Sequence, residues 1–149
     1  MSQMRGIKKS TIVKIKEYFS KKTSVVAVYL YGSQAKGSAR KDSDIDLGVV
    51  LEKEYKTKAF CQPPIIFSQA LSEILGKKVE VQDLRASRVD FSHRVLIEGR
   101  LIYAGNEKER IKFETKIFRD YFDLKFFFDE YYKNLSKIAK KGELNVRYI

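Results

Sequence analysis

The 149-residue chain has a single cysteine, a single histidine and no apolar run that approaches the ~20 residues needed to span a bilayer. The lone Cys61 excludes an internal disulfide and fits a reducing cytoplasm. His93 lies far from Cys61 in sequence, which argues against a cysteine–histidine nucleophile. The N-terminus is basic, but lysines interrupt its apolar positions, so we expect no signal peptide. We therefore expect a cytoplasmic protein.

The composition fits one small globular unit with a basic surface. Hydrophobic residues make up 44% of the chain, an ordinary fraction for a folded domain. The net charge of +11 attracts polyanions such as nucleoside triphosphates and RNA. RNA binding has no support beyond this charge, because the chain has neither an RNP-type aromatic signature nor a set of zinc ligands.

The most informative stretch runs from Gly32 to Leu47, where a Gly-Ser pair follows one apolar run and Asp-x-Asp opens another. The second run alternates, which predicts a strand in which Asp44 and Asp46 project from the same face. Two such carboxylates repel each other unless a cation lies between them, and Mg²⁺ prefers oxygen ligands. Glycine allows a close backbone approach, and the Ser33 hydroxyl can donate a hydrogen bond to a phosphate. The stretch therefore predicts a site for a metal-bound nucleotide.

Two better-known motifs share part of this stretch, and neither fits. The glycine spacing up to Gly37 is that of a P-loop, but Ser38 stands where the phosphate-binding lysine belongs. The aspartate series from Asp42 begins like an EF-hand, but Leu47 replaces the turn glycine and Lys53 replaces the bidentate glutamate. A polar hairpin loop without a ligand is the remaining alternative.

The stretch GSQAKGSARKDSDIDLGVV resembles the signature of the polymerase-β-type nucleotidyltransferase superfamily, and in particular the minimal nucleotidyltransferases of the MntA-like group. Lys78–Leu84 is similar to the third strand of that family, and Val95–Tyr103 is similar to the short element after it. The likeness spans roughly residues 7 to 104. It implies an α+β fold, a small mixed β-sheet flanked by helices.

The resemblance also implies a reaction. A member of this family would be a magnesium-dependent nucleotidyltransferase that moves AMP from ATP to a hydroxyl acceptor. Asp44 and Asp46 would hold two Mg²⁺ ions, and Gly32 and Ser33 would grip the β- and γ-phosphates. Three basic residues of the same loop are further candidates for phosphate contact, although solvated side chains are the commoner finding: Lys36, Arg40 and Lys41.

The third carboxylate departs from the family pattern, because Glu80 stands where the family usually has an aspartate. Asp83 is the nearby alternative. In a period-two strand Glu80 shares a face with Gln82, whereas Asp83 lies on the opposite face. We therefore expect Glu80 to complete the metal site and to take the acceptor proton, and Asp83 to cap the strand end or pair with Arg85.

The MntA-like resemblance further implies an antitoxin that AMPylates a tyrosine of a HEPN-type ribonuclease toxin. Arg88 and His93 have the Arg-x4-His spacing of the HEPN motif, but Val95 stands where the tyrosine of that motif is expected, so the toxin would be a separate chain. Two alternatives stay open. One is the same chemistry on a small molecule or an RNA end, and the other is a non-catalytic antitoxin that neutralises its partner by binding alone.

The last third of the chain predicts one helix over residues 107–140. A break near Asp120 or Asp123, with the helix folded back as a hairpin, is the alternative. We assign residues 1–105 to the nucleotidyltransferase core and 106–149 to a helical extension that offers an interface for a partner or for self-association. Its apolar residues recur at spacings of four and three: Ile117, Tyr121, Leu124, Phe128, Tyr131, Leu135 and Ile138.

Overall fold

The computed structural model of the protein describes residues 6–37, 43–53 and 63–142. Cys61, Arg40 and Lys41 lie outside these ranges. The helices are α1 (Lys9–Ser20), α2 (Ser33–Lys36), α3 (Pro63–Leu75), α4 (Val89–Glu98) and α5 (Glu107–Lys140). The strands are β1 (Val25–Tyr31), β2 (Ile45–Leu51), β3 (Val79–Asp83) and β4 (Arg100–Ala104).

The strands form one mixed sheet in the order β3-β2-β1-β4. β1 is antiparallel to both β2 and β4, whereas β2 is parallel to β3. β1 is central and buried along nearly its whole length, which explains why its sequence is apolar without interruption. The predicted α+β fold with a small mixed sheet is confirmed, as is the antiparallel pairing of β1 with β2.

Each face of the sheet has its own hydrophobic core. On one face α1 and α3 supply the buried aromatic rings Phe19 and Phe67, which meet edge to face with centroids 5.4 Å apart. On the other face α4 and α5 supply Val95, Phe113 and Ile117. The alternation of side chains along the strands divides the two cores and leaves polar residues only where strands begin or end.

Two helix starts differ from the sequence-based prediction. We expected the pair Pro63 and Pro64 to precede a helix starting near residue 65, but α3 begins at Pro63. Proline is tolerated in a first turn because the amide it lacks would have no partner there. We also expected Ser87 to cap α4, but Arg88 takes that position without a side-chain cap. The Ser87 hydroxyl instead donates to the Asp83 carbonyl at 2.7 Å.

α5 is a single helix of 34 residues, as the apolar repeat predicted, and the alternative break near Asp120 or Asp123 does not occur. Its first turn is capped by Asn106, whose side chain accepts from the Glu109 amide at 3.1 Å. At 1.5 Å per residue the helix is about 50 Å long, longer than the sheet it packs on. Only its N-terminal third therefore reaches the core.

Within the described residues, no helix has both the length and the apolar composition that a membrane crossing requires.

Candidate active site

The two motif aspartates lie at the start of β2, at one edge of the mixed sheet. Asp44 immediately precedes the strand, and Asp46 is its second residue. Asp46 has Tyr31 as its register partner on β1 and Glu80 as its register partner on β3. Since neighbouring strands are about 4.8 Å apart, the three predicted carboxylates belong to one cluster at this edge.

Like charges surround Asp46 within this cluster. Partial burial raises the pKa of Asp46, and the negative charges of Glu80 and Asp44 raise it further. The pKa of the Tyr31 hydroxyl rises to about 12 through burial and the same acidic surroundings. The ionised form of Asp46 is thus held beside like charges in a half-buried position. Such a position favours a bound cation.

A lysine that the sequence reasoning did not single out lies against the cluster. The Lys78 Nζ is 3.1 Å from a Glu80 carboxylate oxygen and 3.9 Å from an Asp44 carboxylate oxygen. Hydrogen bonding and charge attraction from Glu80 raise the pKa of this lysine, so it stays protonated. Lys78 directly precedes β3 and is two residues before Glu80, and this spacing was the signal in the sequence.

Gly32 makes room for the Asp46 side chain. Its φ of 74° lies in the left-handed region, and a Cβ at this position would lie 2.5 Å from a carboxylate oxygen of Asp46. Any other residue would be strained and would displace the carboxylate. Gly32 and Asp46 are therefore close neighbours, which joins the two ends of the motif in one site.

Gln34 connects α2 to the segment that leads into β2, a role that the sequence analysis missed. Its side chain is buried, and its amide nitrogen donates to the Ser43 carbonyl at 3.2 Å. This bond ties α2 to the residue before Asp44. Nothing in the sequence distinguishes Gln34 from a solvated loop residue, because α2 is too short to show an apolar face.

The loop lysine predicted as a phosphate contact has a protein partner. Lys36 forms an ion pair with Glu98 of α4, with 3.3 Å between nitrogen and oxygen, and both side chains are largely exposed. Solvent screening makes such a pair weak, so Lys36 stays available to an anion.

A cleft of about 200 Å³ opens beside Gly32, between the end of β1 and α4. Tyr31 and Phe91 meet edge to face in its wall, with ring centroids 5.5 Å apart. The Arg94 guanidinium lies 5.9 Å from the centre of the Phe91 ring. Aromatic rings and a guanidinium next to a carboxylate cluster provide surfaces for a planar, anionic ligand such as a nucleotide.

The side chains of Glu80 and Asp83 have different surroundings, as the alternation of β3 predicted. Val79 and Val81 are buried in the core, and Glu80 points to the other face beside Asp46. An Asp83 carboxylate oxygen accepts from the amides of Arg85 and Ala86 at 2.9 and 3.4 Å. Asp83 therefore caps the turn after β3.

The cluster suits magnesium in its donor chemistry. It offers carboxylate oxygens from Asp44, Asp46 and Glu80, and burial together with the charges of Glu80 and Asp44 raises the pKa of Asp46. Within residues 6–37, 43–53 and 63–142, however, no three acidic, histidine or cysteine side chains converge closely enough to hold a metal ion. Lys78 instead bridges Asp44 and Glu80.

Comparison with known proteins places this geometry in a family. The sequence model of the family described as "Polymerase beta, Nucleotidyltransferase" matches residues 13–108, which include the motif, the sheet and α4. A comparison with curated protein sequences finds no significant match.

Solved structures share the fold along most of the chain. One is a toxin–antitoxin crystal structure with AMP-PNP (20% identity, TM-score 0.65, covering 87% of this chain and 99% of that chain). Another is the MntA–HepT toxin–antitoxin (17% identity, TM-score 0.62, 87% and 99% covered). A third is a tri-AMPylated Shewanella oneidensis HEPN toxin in complex with its MNT antitoxin (18% identity, TM-score 0.58, 91% and 99% covered).

The family match spans more than half of the chain and contains the Gly-Ser and Asp-x-Asp residues that the structure brings into contact. The chain therefore belongs to the polymerase beta nucleotidyltransferase family, and it is a nucleotidyltransferase with the fold of MntA-type antitoxins.

Proposed function

We propose that this nucleotidyltransferase moves AMP from ATP to a tyrosine hydroxyl of a HEPN-type toxin and acts as its antitoxin. The observation that carries the proposal is the contact between Gly32 and Asp46, which joins a phosphate-binding turn to the carboxylate cluster. The fold shared with chains from MntA–HepT and AMPylated HEPN–MNT complexes supports this acceptor.

Each residue of the site has a defined part in the reaction. Gly32 and Ser33 bind the β- and γ-phosphates, and the cleft beside Arg94 takes the rest of the nucleotide. The acceptor oxygen attacks the α-phosphorus of ATP while the bond from that phosphorus to the β-bridging oxygen breaks. Pyrophosphate leaves, and Glu80 takes the proton of the acceptor hydroxyl.

Asp44, Asp46 and Glu80 are the residues that would hold two Mg²⁺ ions. When bound, these ions would neutralise phosphate charge and lower the pKa of the acceptor hydroxyl. Lys78 contacts two of the three carboxylates, so it would have to move aside for a metal ion. Its side chain is exposed enough to do so.

The test uses ATP labelled either at the α- or at the γ-phosphate, incubated with Mg²⁺, the protein and a lysate that contains a HEPN-type protein. We expect the α-label, but not the γ-label, on a protein that mass spectrometry identifies as the HEPN chain, modified on tyrosine. A label on RNA or on a small molecule would replace the acceptor in the proposal. Transfer of the γ-label would contradict the reaction itself.

A further inference from the structure

The projecting part of α5 carries an apolar surface of which this chain covers only the start, where Tyr121 stacks on His93. No described residue of α5 after Ile117 is buried. Phe128 and Tyr131 are 43% and 50% exposed, and neighbouring rings are more exposed still. A run of aromatic side chains over about four helical turns is larger than the isolated apolar residues of ordinary surfaces, and such patches usually bind another protein.

The spacing of these side chains defines one seam, which we call the α5 seam. It follows the a and d positions of a seven-residue repeat, the pattern by which helices pair along their length. Its six members are Tyr121, Leu124, Phe128, Tyr131, Leu135 and Ile138.

We infer that the α5 seam binds the same seam of a second copy of the chain in antiparallel orientation, about a two-fold axis between Phe128 and Tyr131. This register pairs every member of the seam with another member. Phe128 meets Tyr131, Leu124 meets Leu135, and Tyr121 meets Ile138, each pair occurring twice by symmetry. The seam is therefore complementary to itself, and an antiparallel pair closes it without a gap.

The charges along α5 favour a second copy over an unrelated partner. In an antiparallel pair the acidic first segment of one copy lies against the basic second segment of the other. A parallel pair would align like charges. The part of the first segment away from the axis holds the acids Asp120 and Asp123, whereas Asp129 and Glu130 lie next to the axis, where Lys125 is 2.8 Å from Asp129. The second segment holds only bases: Lys133, Lys137, Lys140 and Lys141.

One of these charge pairs is specific to the proposed register. In the seven-residue repeat, Asp120 and Lys141 both occupy the g position, directly before an a position. Antiparallel helices bring the g positions of the two copies together. The register that pairs Phe128 with Tyr131 also brings Asp120 of one copy to Lys141 of the other. The pair occurs twice in the dimer.

The surface has room for the second helix. A groove of about 300 Å³ runs between Arg88 and Asp90 of α4 and the start of the α5 seam, next to Tyr121 and Phe128. Ile138 and the following residues of the second copy would occupy it. Two seams with their flanking rings would bury on the order of 1,000–1,500 Å² in total, enough for a specific dimer.

Cysteine cross-linking tests the register. In a Cys61→Ser background, the double variant Leu124→Cys/Leu135→Cys should form covalent dimers on mild oxidation. Each single variant should not, because identical positions would lie about 16 Å apart, beyond the reach of a disulfide. Mixing the two single variants should restore the cross-link. Cross-linking by a single variant alone, or a protein that sediments as a monomer at all concentrations, would overturn the inference.

Two substitution pairs test the seam and the charges by sedimentation equilibrium. Leu135→Glu should weaken dimerisation at least 10-fold, whereas Phe126→Glu, on the opposite side of the helix, should leave it within about 2-fold.

Asp120→Lys and Lys141→Glu should each weaken dimerisation about 3- to 10-fold, and the double variant should recover most of the loss. Failure of the double variant to recover, or weakening by Phe126→Glu equal to that by Leu135→Glu, would contradict the antiparallel pair. These readouts do not depend on nucleotide transfer.

Discussion

At the scale of single residues, the site is organised by one carboxylate and the neighbours that surround it. Asp46 lies between Tyr31 and Glu80 in the sheet, and the backbone of Gly32 leaves space for its side chain. Asp46 is half-buried beside two other acids, so its ionised form is unfavourable when no metal is bound. The protein thus gives up stability at this position to keep a negatively charged site, a common feature of functional centres.

The first prediction concerns stability and pH in the absence of metal. The native pKa of Asp46 lies above its ordinary value of 3.8, so its ionisation destabilises the native state. This cost is absent well below pH ~4 and grows as the pH rises through the native pKa. Asp46→Asn should therefore raise the melting temperature at pH 7. Calorimetry with chelator should show the gain shrinking toward pH 3–4. A lower melting temperature at pH 7 would mean that Asp46 is not under like-charge strain.

The second prediction separates the two acids of β3. Glu80→Gln should lower the transfer rate by roughly 10²- to 10⁴-fold with little change in ATP affinity, because proton removal acts mainly in the transition state. Asp83→Asn should cost stability through the turn after β3 but should leave the rate of the folded enzyme close to wild type. Single-turnover kinetics with an ATP-binding assay provide both numbers. If Asp83→Asn lowered the transfer rate more than Glu80→Gln, Asp83 would be the residue that acts on the acceptor hydroxyl.

At the scale of elements, sequence patterns located most of the fold because local periodicity and packing agree. The unbroken apolar run of β1 and the alternation of β2 predicted both strands with the bounds that the structure has. The repeat in α5 predicted both ends of that helix. The roles of Pro63 and Ser87 were predicted wrongly because each residue type has more than one local role. Proline occurs at the start of a helix as well as at a break. Serine donates hydrogen bonds to carbonyl groups as well as capping helices.

The site was predictable only in part, for a related reason. Asp44, Asp46 and Gly32 could be identified from the sequence because the motif has these residue types at a fixed spacing. For Lys78 the spacing to Glu80 was the signal, and Gln34 had none, because their contacts arise from the pairing of β2 with β3 and from the bond between α2 and Ser43. Such contacts between distant segments leave no periodic trace in the sequence.

The third prediction distinguishes the anchored part of α5 from its projecting part. Phe113 packs in the core with Ile117, and nearby the Tyr29 hydroxyl donates to Glu114 at 2.5 Å. Phe113→Ala should lower the free energy of unfolding by about 3–5 kcal/mol, since it leaves a cavity under the helix. Phe126→Ala, on a fully solvated position, should change it by less than about 0.5 kcal/mol. Denaturant unfolding of both variants measures the contrast. Equal losses would show that the projecting part of α5 packs on the same core.

At the scale of the whole molecule, the chain combines a compact catalytic sheet with a helix that extends beyond it. The net charge of +11 draws nucleoside triphosphates toward the surface, while the carboxylate cluster creates a local negative site within it. His93 of α4 stacks on Tyr121 of α5, with ring centroids 3.5 Å apart. This contact connects the α4 side of the cleft to the first residue of the α5 seam, so the proposed dimer contact and the proposed nucleotide site would use adjoining surfaces.

The most direct test of the account is the rate at which the α-phosphate label of ATP reaches the acceptor, measured for the wild type, Asp44→Asn and Asp46→Asn at saturating Mg²⁺. Asp123→Asn, the same change at a solvated position of α5, is the matched control. We expect both motif variants to lose at least about 10³-fold in rate while remaining folded, and the control to keep the wild-type rate. Transfer at a near wild-type rate by either motif variant would contradict the assignment of the reaction to this carboxylate cluster.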